Sequence, residues 1–221
     1  MREATIRWLK RLAVWLTAAT LGVIVTAIAG YVYLLDKRPD LDLWHHADLD
    51  LEYTRRSAVK DLEGYLALEE ALFEQLDQEV YDKTPPGDDN ALNRYRRGAL
   101  ADPQRWPRNW NRTFVLEQQT PKAAVLLLHG LSDSPYSLQG LGQTLHQAGA
   151  HVLGLRVPGH GTAPSGLVEV RWKDMAAATQ LAMADLASRH PDAPLYVVGY
   201  SNGAALALNA TLSALEDDTL P

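Results

Sequence analysis

From Leu12 to Leu35 the chain carries no charged side chain, and no other feature narrows its folding choices as much. Coiled as an α-helix rising about 1.5 Å per residue, the stretch outreaches a hydrocarbon core about 30 Å thick, so it is long enough to cross a bilayer with some tilt. Arg2, Arg7, Lys10 and Arg11 precede it with Glu3 as the single acid, whereas Asp36, Lys37, Arg38, Asp40 and Asp42 follow with mixed sign. The positive-inside bias predicts a cytosolic N-terminus and a C-terminal part outside the cytosol, periplasmic in a bacterium. Trp8 and Trp15 at one end, and Tyr31 and Tyr33 at the other, suit the two membrane interfaces. A cleaved secretory signal is the rival reading, because Ala27-Ile28-Ala29 has the small-x-small pattern of a cleavage site; the apolar run continuing to Leu35 argues against it. Both readings export the remainder. A buried core helix fits less well, since such helices usually keep a polar face.

The remainder is globular in composition. Across the chain 47% of residues are hydrophobic and 22% charged, which excludes disorder and collagen-like repeats. A net charge of -6 argues against a polyanion-binding surface, so no nucleic-acid partner is expected. The absence of cysteine removes disulfides, thiolate metal sites and a cysteine nucleophile, and leaves the compartment open.

Residues 36–112 form a polar extension. Val59, Leu62, Leu66, Phe73, Leu76 and Val80 recur at helical spacing, with Tyr65 and Leu72 widening the stripe, so Ser57 to Tyr81 is predicted to be an amphipathic helix packed on the following domain. Glu63, Glu69, Glu70, Glu74, Asp77 and Glu79 read as its solvated face rather than as a catalytic or metal-binding cluster. Thr84 to Asn90 is rich in turn formers, and Asp102 to Arg112, with Pro103, Pro107, Trp106 and Trp110, reads as extended.

After residue 113 strands and helices alternate. Thr113–Gln118, Ala123–Leu128, His151–Val157 and Leu195–Val198 read as strands, and Tyr136–Ala148, Trp172–His190 and Gly203–Leu215 as helices. Alternation of this kind implies βαβ units and a parallel sheet. The wholly apolar strand Ala123–Leu128 is of the type buried on both faces. Strand Leu195–Val198 is equally apolar, and with no further strand predicted beyond it the sheet is expected to end in an open hydrophobic edge.

Directly after that last strand, Gly199-Tyr200-Ser201-Asn202-Gly203 fits GxSxG, the sharp strand-to-helix turn that projects a serine. The glycines remove side chains that would collide with the neighbouring strand and helix. A second turn, His129 to Pro135, follows the earlier apolar strand. Ligands of open α/β sheets bind at the carboxyl ends of the strands, so both turns should face one crevice.

Three segments, LLLHGLSDSPYS, RVPGHGTAPSG and VVGYSNGAALAL, resemble the α/β-hydrolase superfamily, in particular its monoacylglycerol lipase, lysophospholipase and serine aminopeptidase-like branch. The resemblance covers roughly residues 113 to 215. It implies an incomplete α/β-hydrolase parallel sheet preceded by a transmembrane helix and a helical extension, in three sections: 1–35, 36–112 and 113–221. It also implies Ser201 as nucleophile and the backbone N–H groups of Leu131 and Asn202 as the oxyanion hole. Gly199, Tyr200 and Gly203 would shape the nucleophile elbow, and His129 and Gly130 the oxyanion turn. The implied substrate is a small-molecule or lipid ester, with no metal or organic cofactor, and the membrane partner is engaged through residues 12–35.

One departure stands out. Members of this superfamily place acid and then histidine after the serine. Here Asp217 and Asp218 come too early, and no histidine follows Ser201. His129 and His160 are expected to order backbone rather than to transfer protons. The expectation is a truncated chain, inactive alone, whose acid, base and lid lie past residue 221. A non-catalytic membrane-tethered binding module with a hydrolase-like fold is the alternative.

Overall fold

The computed structural model describes residues 2–85 and 92–216. The Pro86–Asn90 part of the predicted turn, and both Asp217 and Asp218, fall outside them. The chain divides into two compact units, Met1–Leu41 and Asp42–Pro221.

The first unit is one helix, α1 (Arg2–Asp36), long and apolar enough over Glu3–Asp36 to be a candidate membrane span. Thr20, a polar residue within the run, turns its hydroxyl back to the Leu16 carbonyl (2.9 Å). That back-bond satisfies one hydroxyl of the apolar run within the helix itself.

The second unit is built on a four-stranded mixed sheet, in the order β1-β3-β2-β4. Its strands are β1 (Phe114–Leu116), β2 (Ala123–Leu128), β3 (Ala150–Leu155) and β4 (Leu195–Gly199). β3, β2 and β4 run parallel, with Ala123 opposite Ala150 and Leu128 opposite Gly199. β1 corrects the all-parallel expectation: it pairs with β3 antiparallel, Phe114 opposite Gly154. The connection 117–122 explains why, because a parallel crossover needs about a dozen residues or more.

Alternate residues of β2 feed two cores. Ala124, Leu126 and Leu128 face α4 (Trp172–Arg189) and α5 (Asn202–Glu216) through Ala178, Ala182, Leu186, Leu206 and Ala210. Val125 and Leu127 face the other side, with Phe114, Leu138 and Val152, where α3 (Gln139–Gln147) packs. β4 is the exception to burial on both faces. It lies at the sheet margin, and Tyr196 and Val198 are 55% and 37% exposed.

The predicted amphipathic helix is α2 (Leu62–Leu76), continued by a wider π-type turn, Asp77–Tyr81. It starts later than Ser57 because Asp61 caps it, accepting a 2.8 Å hydrogen bond from the Gly64 N–H. Its inner face joins the α4 core through Leu62 and Tyr65. The segment 102–112 is not extended: a short 3-10 turn (Pro103–Arg105) forms under Asp102, whose carboxylate accepts from the N–H groups of Gly98 and Gln104.

One of the acidic residues assigned to solvent is in fact buried. Glu69 is 4% exposed and pairs with Arg156, itself 1% exposed, at 2.9 Å. Glu52 grips the same guanidinium with both oxygens, at 3.0 and 3.1 Å. Glu69 also accepts from the Thr113 N–H and hydroxyl, and Tyr65 donates to the Arg156 carbonyl at 2.6 Å. Burial opposes the charge on Arg156, but Glu52, Tyr65 and Glu69 more than offset it, and its pKa is raised. Residues from the extension thus close around the loop that follows β3.

Candidate active site

The parallel strands place their following turns at one end of the sheet. β4 runs into α5 through Tyr200 and Ser201, and Ser201 has φ +53°, a conformation a non-glycine residue rarely adopts. The flanking glycines make that turn possible. A Cβ on Gly203 would lie 2.1 Å from the Leu128 carbonyl oxygen, and one on Gly199 would lie 2.4 Å from the Gly203 carbonyl. Helix α5 therefore starts against the end of β2 with no room for a methyl group. Ser201 is exposed at the apex.

The second turn abuts the first. A Cβ on Gly130 would sit 3.3 Å from the Ser201 Cβ and 2.9 Å from the Tyr200 ring. The Tyr200 N–H reaches the Leu128 carbonyl (3.4 Å), and the hydroxyls of Tyr200 and Ser137 meet at 3.1 Å. Leu131 and Asn202 thus flank this junction. Asn202 opens α5, so its N–H is among the donors a helix start leaves without an intrahelical acceptor. Ser132, next along the turn, also has positive φ, +60°. An exposed hydroxyl can attack a carbonyl provided a base takes its proton, and backbone N–H groups beside it can receive the oxyanion that forms.

The histidines are engaged elsewhere. His129 is fully buried; its Nδ1–H donates to the Gly130 carbonyl (2.9 Å) and its Nε2 accepts from the Val157 N–H (3.1 Å). Burial is the main cause that lowers its pKa to about 4, so it stays neutral and ties the Gly130 turn to the loop after β3. His160 packs edge-on against it, centroids 5.1 Å apart, and donates from Nδ1 to the Pro158 carbonyl at 2.8 Å. Burial lowers its pKa as well. His146 bonds the Ala150 carbonyl, and His151 and His190 lie together at centroids 4.4 Å apart. Among the described residues no histidine hydrogen-bonds to Ser201, and no group of three His, Asp or Glu side chains is arranged to hold a metal.

A cavity of about 360 Å³ opens beyond the Gly130 turn, between Ser132–Ser134 and the loop Gly159–Pro164, with Arg94 and Tyr95 of the extension in its wall. The sequence reading missed this contribution of the extension, and missed Arg156, Glu52 and Glu69 behind it. The signal was present: Glu69 falls in step with Leu62, Tyr65, Leu72 and Leu76, on the stripe that faces inward.

Comparison with known proteins places the motif-bearing part. The family model for serine aminopeptidase, S33, an α/β-hydrolase family, matches residues 119–218. A solved structure described under metagenome-derived lipolytic enzymes LipS and LipT is 29% identical, with a TM-score of 0.44. The match covers 48% of this chain and 42% of that one, so the chain spans less than half the length of that enzyme. No curated protein matches.

Proposed function

We propose, from the match of residues 119–218 to the serine aminopeptidase family model, that this chain carries the nucleophile of a serine hydrolase acting on carboxylic esters. The observation that carries the reading is the exposed Ser201 at positive φ, wedged against the Gly130 turn. In the proposed reaction the Ser201 hydroxyl attacks the ester carbonyl, and the N–H groups of Leu131 and Asn202 receive the developing oxyanion. The alcohol then leaves, and water hydrolyses the acyl-enzyme. A lipid-like acyl ester suits a protein held at a membrane by residues 12–35, with the N-terminus cytosolic and the catalytic part outside. The three sections 1–35, 36–112 and 113–221 would serve as anchor, support and catalytic half-domain.

With His129 held by backbone at both ring nitrogens and His160 buried and held at Nδ1, this chain alone is proposed to be inactive as an esterase. Loss of triad members lowers turnover by about a millionfold, though an oxyanion hole and binding alone retain about a thousandfold or more over water. Reaction of the full chain with a fluorophosphonate probe and with p-nitrophenyl butyrate tests this. Slow labelling that vanishes in Ser201→Ala, without ester turnover, is expected. Fast serine-dependent turnover would mean that one of the seven histidines acts as base. No labelling would favour a second reading, a non-catalytic membrane-tethered binding module, which the backbone bonds of His129 and His160 also accommodate.

A further inference from the structure

The segment from Leu92 to Arg112 inverts the charge of the protein. It holds six arginines against one aspartate, in a chain whose 27 acids outnumber its 21 bases. Arg97 pairs with Asp77 and Arg112 with Glu70. Arg94 donates to the Gly161 carbonyl, and no carboxylate pairs with Arg94, Arg105 or Arg108 among the described residues. Arg108 lies over the Trp110 ring at 4.6 Å.

Large apolar side chains stand among these cations. Leu92 is 78% exposed, Trp106 65%, Leu100 60% and Tyr136 58%. Leu100, Trp106, Trp110 and Tyr136 line one groove of about 540 Å³ with Arg94 and Arg108. Pro103 and Pro107 bracket Trp106, and the buried Asp102 fixes the turn that presents it. Tyr136 sits just after the candidate oxyanion turn, so the groove and that turn share a stretch of chain.

We propose that this arginine and tryptophan surface docks on an anionic lipid surface. Charge complementarity selects the occupant. Trp and Tyr favour the headgroup level, where an apolar ring and a polar edge are both accommodated, and unpaired arginines are attracted by the negative potential of acidic lipids. Each cation brought to such a surface strengthens attachment about fivefold, the equivalent of about 1 kcal/mol. Docking would set the oxyanion turn beside the bilayer, but it does not depend on Ser201 being catalytic.

The chain contains no cysteine, so a single nitroxide label can report on one position. The full chain with Leu100→Cys, labelled and reconstituted in phosphatidylcholine vesicles with or without phosphatidylglycerol, tests the proposal. Asp192→Cys, in an exposed loop at the opposite end of the sheet, is the control. Contact with a water-soluble relaxing agent is expected to fall severalfold at position 100 in the acidic vesicles, and to be unchanged at 192. About 1 M salt, where the Debye length is about 3 Å, should restore it, and Arg105→Glu with Arg108→Glu should do the same. If that double variant misfolds, the salt arm still decides. Equal contact in both lipids, shielding that salt leaves intact, or equal shielding at 192 would each overturn the proposal.

Discussion

Beside β3 the sheet is closed: β1 pairs with it, and the extension lowers Glu52 and Glu69 onto Arg156. Beside β4 no strand pairs among the described residues, and the face formed by Tyr196 and Val198 stays largely uncovered. The two best-placed imidazoles, His129 and His160, belong to the closed side, where burial keeps them neutral and backbone groups hold their orientation. The serine belongs to the open side, where its hydroxyl is accessible. Rigidity and access fall to opposite halves of one sheet, and the glycines at 130, 199 and 203 are what let the halves touch.

The sharpest way to break this contrast is to remove the cation from the closed side. Arg156→Met leaves two buried carboxylates without their cation, and breaking a buried ion pair costs about 3–5 kcal/mol. The large effect is expected because Arg156 is 1% exposed and also holds the His160 carbonyl at 3.0 Å. Urea unfolding of the detergent-solubilised chain, followed by tryptophan fluorescence, would measure it. Adding Glu52→Gln and Glu69→Gln should recover part of the loss, since the charges left behind are its cause. A loss below about 1 kcal/mol would show the cluster to be solvated and the closed side no more rigid than the open one.

How much of this could be read from the sequence follows the same division. β2 matches its predicted limits, Ala123–Leu128, because a run apolar on both faces admits one placement. The Ser201 turn was legible too, since glycine at 199 and 203 is dictated by contacts of 2.4 and 2.1 Å that any side chain would violate. What stayed hidden was chiefly long-range. Glu69 looked like one more acid on a charged helix until Arg156, 87 positions along the chain, came to meet it. The direction of β1 depends on partner choice, although the shortness of the 117–122 connection already disfavoured a parallel neighbour. Asp102 to Arg112 read as extended because its prolines forbid a long helix; the hydrogen bonds accepted by Asp102 then fold it into a turn.

Acidification separates the two sides next. His129 is held at about 4 against an ordinary value of 6.5, mainly by burial. A depressed folded-state pKa means its neutral form contributes fully above about 6.5, and the contribution is lost as pH falls through that range toward 4. The loss amounts to at most about 3 kcal/mol at about 1.4 kcal/mol per unit. His160 shifts in the same direction. Carboxylates titrate nearby in pH, so the informative quantity is the difference from His129→Asn, which keeps a donor and an acceptor without a titratable ring. The stability gap between wild type and variant should narrow from pH 7 to pH 4.5. A gap that stays constant would mean that the imidazole is protonated without penalty, and that the closed side is open to water.

The smallest stability effect belongs to the bare edge. Tyr196→Lys replaces a side chain that is 55% exposed and belongs to none of the three apolar cores, so the change in unfolding free energy should stay within about 0.5 kcal/mol. Its consequence for association should be larger. A parallel strand paired along one edge alone offers a row of N–H and C=O groups to any other chain, and the apolar groove beside it, lined by Val125, Leu145, Ala150 and Val198, adds a hydrophobic reward. Lysine on an edge strand opposes such pairing through charge and hydration. Light scattering of the solubilised chain against concentration should therefore show less self-association for Tyr196→Lys, at nearly unchanged urea midpoint. Equal association in both proteins would place the sticky surface elsewhere. A large fall in stability would show that Tyr196 is packed, and the contrast between a closed and an open margin would have to be redrawn.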